Sequence, residues 1–183
     1  MTYHSENQSI IALTGFMGSG KSSVGRALAL LTGWNFVDLD REIEIWHRQK
    51  IRDIFQCHGE EHFRQLETEV LRKVLAEARR PLVLALGGGT FVQSGNADLL
   101  REHGARVVFL HASPELLLER CLSESSEAEA VRPLASDRES FLRLYEHRLP
   151  YYRGAEFVLE CDNSAPDVIA DRLASWLQLI PSD

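Results

Sequence analysis

The chain has 183 residues, 44% of them hydrophobic and 26% charged, and its formal net charge is −7. This size suits one domain with a core of its own, and we expect a single domain over residues 1–183. The acidic balance and the lack of a basic tract argue against nucleic acid as a partner.

Three scattered cysteines without Cys-x-x-Cys spacing argue against a zinc site or a disulfide framework and favour a reducing, cytoplasmic setting. The apolar runs are too short to span a bilayer, so we expect no membrane partner. The first ten residues lack the basic and apolar regions of a secretory signal. No unexplained apolar stripe is visible, and we expect a monomer.

Strand and helix patterns alternate along the chain. Short apolar or β-branched runs predict five strands, at 9–14, 34–39, 82–86, 106–111 and 156–160. Apolar residues at helical spacing predict helices at 21–32, 41–49, 59–79, 114–122, 137–151 and 166–179. This alternation indicates an α/β fold, a three-layer sandwich with a central five-stranded parallel sheet. Ligands of such sheets bind at the carboxyl ends of the strands.

One segment breaks the alternation. Residues 123–130, with the sequence SESSEAEA, are polar and acidic and show no apolar periodicity. Two interpretations stay open, a solvated loop or a mobile lid over a nucleotide, since kinases close with loops of low local stability. We expect the lid at about 122–135.

The most specific motif is GFMGSGKS at residues 15–22, which fits G-x-x-x-x-G-K-[ST] between a predicted strand and a predicted helix. Its glycines let backbone N–H groups converge on phosphate oxygens, and the helix N-terminus adds positive potential. Lys21 is then expected to neutralise the β- and γ-phosphates, and the Ser22 hydroxyl to bind Mg²⁺. The predicted ATP-binding residues here are Gly15, Gly18, Ser19, Gly20, Lys21, Ser22 and Ser23.

Two carboxylates follow the second predicted strand. Asp38 and Asp40 are two residues apart, so in an extended segment both side chains would leave the same face. They could both lie near a metal, or divide into a metal ligand and a substrate base. The alternative is an ordinary helix N-cap, a role that suits the position of Asp40.

Three glycines, Gly87, Gly88 and Gly89, follow the third predicted strand. They allow a ligand or another loop to approach the backbone closely, although a strained turn would also explain them.

Taken together, these motifs resemble the shikimate kinase family of P-loop proteins. The matching segments, in order, are GFMGSGKSSVGRALA at 15–29, Asp38-x-Asp40, Ile51-x-x-Ile54-Phe55, Gly59-Glu60-x-x-Phe63-Arg64-x-x-Glu67, Gly87-Gly88-Gly89, Val131-Arg132-Pro133-Leu134 and Arg148-x-x-Tyr151. The resemblance implies a P-loop NTPase fold that transfers the γ-phosphate of ATP, with Mg²⁺, to the 3-hydroxyl of shikimate. The products would be shikimate 3-phosphate and ADP, in aromatic amino-acid biosynthesis.

The resemblance also implies a substrate-binding segment at about 40–70 and a role for each matching residue. Asp40 would orient the attacking hydroxyl or act as its base, while Arg64 and Arg148 would bind the substrate carboxylate. Glu67 would orient Arg64. The other implied roles are the glycine backbone at 87–89 against the ring, Phe55 and Phe63 as pocket walls, Arg132 on the transferred phosphoryl, Arg120 against adenine, and Asp38 with Ser22 at the metal.

Two alternatives remain open at this point. A kinase of another small hydroxy acid, such as gluconate, would share the phosphate-binding motif but would have no use for the segment from Gly59 to Arg64 combined with the three glycines. A non-catalytic ATP-binding regulator finds support only in the acidic lid, where Glu124, Glu127 and Glu129 add negative charge that departs from the family pattern.

Overall fold

The computed structural model describes residues 9–124, 137–161 and 163–179. The strands are β1 Ile10–Thr14, β2 Asn35–Asp38, β3 Leu82–Ala85, β4 Ala105–His111 and β5 Phe157–Glu160. The helices are α1 Lys21–Thr32, α2 Leu39–His47, α3 Ile51–Glu77, α4 Ser94–Glu102, α5 Pro114–Glu124, α6 Arg138–Tyr152 and α7 Pro166–Trp176. A single turn of 3-10 helix, Thr90–Val92, precedes α4.

All five strands are parallel and lie in the order β2-β3-β1-β4-β5. One row of the sheet pairs Asp38 with Ala85, Ala85 with Leu13, and Leu13 with Val108. The segments that follow β1, β2 and β3 therefore leave the sheet side by side at one edge. This is where the sequence predicted the phosphate-binding loop, the two aspartates and the three glycines.

Helices cover both faces of the sheet. Along β1, Ile11 and Leu13 belong to the apolar cluster that includes Leu28 of α1 and Leu173 of α7. Ile10 and Ala12 belong to the opposite cluster, which includes the α3 and α4 side chains. This alternation is the period of two expected for a strand buried on both faces. The predicted three-layer α/β sandwich with a five-stranded parallel sheet is confirmed.

The start of α2 corrects the sequence prediction. The helix begins at Leu39, two residues earlier than predicted, and Asp38 is its N-cap, with the Arg41 N–H donating to the Asp38 carboxylate at 3.3 Å. Asp40 consequently lies in the first helical turn and not in an extended segment. The prediction that Asp38 and Asp40 share one face of a strand was wrong, as was the expectation of an N-cap at Asp40.

Two further helical segments were not predicted. Helix α3 begins at Ile51 and is interrupted at Gly59, whose φ of 81° and ψ of 176° are not helical. Helix α4 was missed altogether, because its first turn, Ser-Gly-Asn, is typical of a loop. Among the described residues, no helix is both long and apolar enough to cross a membrane.

Candidate active site

The phosphate-binding loop, residues 15–22, connects β1 to α1. Gly15 and Gly18 have φ angles of 149° and 78°. A Cβ at Gly15 would lie 2.8 Å from the Leu110 carbonyl oxygen, and one at Gly18 would lie 2.7 Å from that of Leu117. Any side chain at these two positions would therefore push the loop away from β4 and α5. The glycines are needed for packing as well as for backbone conformation.

Lys21 is the first residue of α1 and points back over the loop. Its ammonium donates to the carbonyl oxygens of Gly15 and Phe16, both at 2.9 Å. The helix N-terminus and the Lys21 charge thus meet at the same concave backbone, an arrangement that favours an anion. Ser22 is half-buried beside Lys21, whereas Ser19 is buried and Ser23 is exposed.

The three glycines after β3 form the centre of the site. A Cβ at Gly87 would lie 2.6 Å from a Glu67 carboxylate oxygen and 2.7 Å from an Asp40 one. A Cβ at Gly89 would lie 2.5 Å from Cζ of Arg64, and one at Gly88 would lie 3.6 Å from Nη1 of Arg148. Four charged side chains from α2, α3 and α6 therefore converge on this glycine backbone, with no space for side chains at its ends.

The same glycines adjoin the phosphate-binding loop. The Cβ position of Gly88 is 3.9 Å from both the Gly15 carbonyl oxygen and the Met17 backbone nitrogen. Gly15 is also the residue whose carbonyl accepts from Lys21. The structure thus places Arg148 beside the anion-binding loop, and Asp40 and Arg64 at the two adjacent glycines.

Glu67 is fully buried, and three side chains donate to its carboxylate. Nη1 of Arg64 lies 2.8 Å from one oxygen, Nε2 of Gln93 lies 2.7 Å from the same oxygen, and Oγ1 of Thr90 lies 2.6 Å from the other. The role of Thr90 and Gln93 was missed from the sequence. The available signal was their polar character within four residues of the glycines.

Arg64 lies between two glutamates. Besides Glu67, its Nε and Nη2 donate to one oxygen of Glu60 at 3.3 and 3.0 Å. Burial acts to lower the pKa of Arg64, but the charges and hydrogen bonds of Glu67 and Glu60 outweigh burial and raise it. The guanidinium is therefore a permanent cation held in one orientation.

Arg148 reaches the glycines from α6. Its Nη1 donates to the Gly88 carbonyl oxygen at 3.2 Å, and its guanidinium lies 5.9 Å from the centre of the Phe16 ring. The Tyr152 hydroxyl donates to the same carbonyl. Tyr152 and the buried Phe16 were not predicted as site residues. Tyr152 contacts Gly88, and Phe16 contacts Arg148.

The two predicted pocket phenylalanines differ in their surroundings. Phe63 is buried in the cluster between the sheet and α3, whereas Phe55 is 36% exposed. Their ring centres are 4.5 Å apart, and both rings lie within 6.0 Å of the Arg64 guanidinium. Together they form an apolar surface under Arg64.

The remaining predicted residues lie around the phosphate-binding loop, at the edge of the sheet, or outside the residues that the structure describes. Arg120 donates to the Gly18 carbonyl oxygen at 3.4 Å, so it contacts the phosphate-binding loop itself. Asp38 lies at the sheet edge as the cap of α2. Arg132 and nearly all of the predicted lid, including Glu127 and Glu129, lie outside the described residues, and the Glu124 side chain does so as well.

Comparison with known proteins identifies the family. The profile of the shikimate kinase family matches residues 17–178. The chain belongs to the shikimate kinase family. A shikimate kinase from Moorella thermoacetica is 39% identical over 174 residues, covering 92% of this chain and 96% of the relative. Membership agrees with the resemblance drawn from the motifs and makes the chain an ATP-dependent kinase.

Solved structures agree with this membership. A shikimate kinase from Acinetobacter baumannii in complex with shikimate superposes with a TM-score of 0.85 and 35% identity, covering 94% of each chain. A gluconokinase from Sinorhizobium meliloti superposes less closely, with a TM-score of 0.60 and 23% identity over 95% of this chain and 98% of that one. The gluconokinase therefore shares the fold alone.

Proposed function

We propose that this member of the shikimate kinase family transfers the γ-phosphate of Mg·ATP to the 3-hydroxyl of shikimate, giving shikimate 3-phosphate and ADP. The observation that carries the proposal is the position of Gly88, whose Cβ position lies within 4 Å of both the Arg148 guanidinium and the phosphate-binding loop. A small acid held by the arginines at the glycines would lie next to a nucleotide held by the loop.

ATP would bind with its phosphates on the backbone of residues 15–22. Lys21, now donating to two loop carbonyls, would turn its ammonium to the β- and γ-phosphates. Arg120 donates to the Gly18 carbonyl oxygen of the loop and would approach the nucleotide from α5.

Mg²⁺ fits the donors that the site offers. The Ser22 hydroxyl and the Asp38 carboxylate are hard oxygen ligands of the kind Mg²⁺ prefers. Among the described residues, no group of three or more His, Cys, Asp or Glu side chains could hold a metal ion. Mg²⁺ commonly takes one or two protein oxygens, with phosphate and water completing its coordination. When bound, the ion would neutralise charge on the phosphates.

The acceptor would be oriented from both ends. Arg64 and Arg148 would bind its carboxylate, since a guanidinium offers paired N–H donors that match two oxygens. Asp40, whose carboxylate adjoins Gly87, would accept a hydrogen bond from the attacking hydroxyl. The glycine backbone and the Phe55–Phe63 surface would contact the ring.

Catalysis would then come from alignment and charge. Holding the hydroxyl oxygen in line with the γ-phosphorus removes most of the entropic barrier, and fixed cations stabilise the charge spread over the phosphoryl oxygens. Arg132 from the predicted lid would add to that charge. All these residues belong to one chain, so we infer that a monomer suffices for activity.

A coupled assay of ADP release tests the proposal. Purified protein is given Mg·ATP with shikimate, with gluconate, or with no acceptor. We expect ADP release in the arm that contains shikimate and none in the other two arms. Turnover with gluconate would instead favour a kinase of another hydroxy acid, and ATP binding without turnover in any arm would favour a non-catalytic regulator.

A further inference from the structure

Glu60 and Glu67 make different contacts with the same guanidinium. Glu67 is fully buried and accepts one well-formed hydrogen bond from Arg64 at 2.8 Å. The Glu60 side chain is 66% exposed, and a single oxygen of it accepts from both Nε and Nη2 of Arg64 at 3.3 and 3.0 Å. An exposed ion pair of this kind contributes little stability and exchanges readily with solvent.

The charges around Arg64 are unfavourable to a third carboxylate. One guanidinium (+1) with Glu60 (−1) and Glu67 (−1) has a net charge of −1. Arg148 (+1) and Asp40 (−1), which reach the adjoining glycines, leave this sum at −1. A substrate carboxylate would therefore enter a group of side chains that is already negative. Because Glu67 is buried and also held by Thr90 and Gln93, Glu60 is the carboxylate that can leave.

The backbone makes this departure easy. Glu60 directly follows Gly59, where a φ of 81° interrupts α3, so it lies in the first turn of the second helical segment. A Cβ at Gly59 would have no atom within 4 Å, so the space beside Gly59 is open. The Glu60 side chain can turn into solvent while Arg64 keeps its contact with Glu67.

We propose that Glu60 is a placeholder carboxylate, which occupies the Nε and Nη2 donors of Arg64 and must be displaced by the carboxylate of the substrate. This inference rests on the proposed function, in which Arg64 binds the shikimate carboxylate. By competing for the same donors, Glu60 raises the KM for the acid. The product keeps the same carboxylate, so Glu60 competes with it for Arg64 in the same way. This competition weakens product binding.

The test compares Glu60→Gln with the wild-type chain on two acceptors, shikimate and its methyl ester. Glutamine has nearly the same shape but no charge, so we expect the KM for shikimate to fall about 2- to 5-fold, the range that suits an exposed ion pair. The ester lacks the carboxylate that competes with Glu60, so its KM should stay the same. Inhibition by shikimate 3-phosphate should strengthen by a similar factor.

Glu61→Gln is the matched control, because Glu61 is the exposed neighbour and the substitution makes the same change in net charge. It should leave both KM values unchanged. If Glu60→Gln leaves the KM for shikimate unchanged while the wild-type chain prefers the acid over the ester, the placeholder role is refuted and the proposed function stands. If the wild-type chain uses acid and ester equally well, the carboxylate contact at Arg64 fails, and this inference fails with it.

Discussion

Glu67 shows how a single buried charge organises the side chains around it. A carboxylate without solvent contact is costly unless hydrogen bonds replace its water. Thr90, Gln93 and Arg64 provide that replacement. The i,i+3 spacing from Arg64 to Glu67 was readable from the sequence. The contacts from Thr90 and Gln93 were not, because they join residues 23 and 26 positions apart that only the packing of α3 against the segment after β3 brings together.

Replacing Thr90 with valine should destabilise the fold. Valine keeps the size of threonine but removes the hydroxyl that donates to Glu67 at 2.6 Å. A buried carboxylate left short of one donor costs about 1–3 kcal/mol, so the free energy of unfolding measured in urea should fall by that amount. The KM for shikimate should rise as well, because a less firmly held Glu67 orients Arg64 less well.

Thr90→Ser is the control for this loss, since serine keeps the hydroxyl and removes only a methyl group. Its free energy of unfolding should stay closer to the wild-type value than that of the valine variant. Equal stability of the valine variant and the wild type would show that the Thr90 hydroxyl does not support Glu67.

Tyr152 should make stability depend on pH in the alkaline range. Burial raises its pKa from 10.0 to about 12, with Arg148 acting in the opposite direction. Below pH 10 the native and unfolded chains both keep the phenolic proton. Between pH 10 and about 12 only the unfolded chain loses it, so the free energy of unfolding falls as pH rises, by about 1.4 kcal/mol per pH unit in mid-range.

Urea unfolding at pH 9 and pH 11 measures this effect. The wild-type chain should lose about 1 kcal/mol more between the two pH values than Tyr152→Phe, which has no proton to lose at this position. Parallel losses in both proteins would show that Tyr152 titrates normally.

At the scale of elements, the sequence predicted the sheet better than its connections. Five strands were found because short apolar runs between glycine or polar residues are typical of buried parallel strands. The start of α2 was misplaced because an aspartate at either Asp38 or Asp40 suits an N-cap. Helix α4 was missed because the contacts that stabilise it, such as burial of Leu100 and Asn96, are tertiary.

Replacing Gly89 with alanine tests how closely α3 approaches the segment after β3. The new Cβ would meet Cζ of Arg64 at 2.5 Å, a distance that forces the guanidinium or the backbone to move. We expect the KM for shikimate to rise at least about 10-fold, because displacement of a positioning group by about 1 Å is costly. The KM for ATP should change less, since the loop adjoins Gly88 and the three nearest atoms to a Cβ at Gly89 all belong to Arg64.

Gly95→Ala is the matched control for that substitution. Gly95 lies in α4, and a Cβ there would have no atom within 4 Å. This variant should keep both KM values and unfold no more easily than the wild type, because alanine is a better helix former than glycine. A Gly89→Ala enzyme with unchanged KM for shikimate would contradict the placement of Arg64 against the glycine.

At the scale of the molecule, the order of the strands in the sheet determines which segments meet at the site. Residues from the first loop, α2, α3, the segment after β3, and α6 meet because β2, β3 and β1 are neighbours and end at one edge. The motifs gave the chemical types and their order along the chain. The distances between them depend on strand register and helix packing, which no local pattern encodes.

The fold and the reaction should depend on metal in different ways. Stability comes from two apolar clusters on the faces of the sheet, with no metal cluster among the described residues. EDTA should therefore leave the free energy of unfolding in urea unchanged when ATP is absent. The same treatment should abolish ADP release, because the proposed Mg²⁺ would neutralise the phosphates during transfer. Loss of stability in EDTA would instead reveal a structural metal, whose binding contributes to folding.

Asp38→Asn separates the N-cap that Asp38 forms from its proposed role as a Mg²⁺ ligand. Asparagine caps a helix about as well as aspartate, so the bond from the Arg41 N–H and the stability of α2 should persist to within about 0.5 kcal/mol. A neutral amide is a weaker Mg²⁺ ligand than a carboxylate, so the Mg²⁺ concentration for half-maximal turnover should rise. An unchanged Mg²⁺ requirement in a stable variant would restrict Asp38 to the cap, and would leave Ser22 as the protein ligand of the ion.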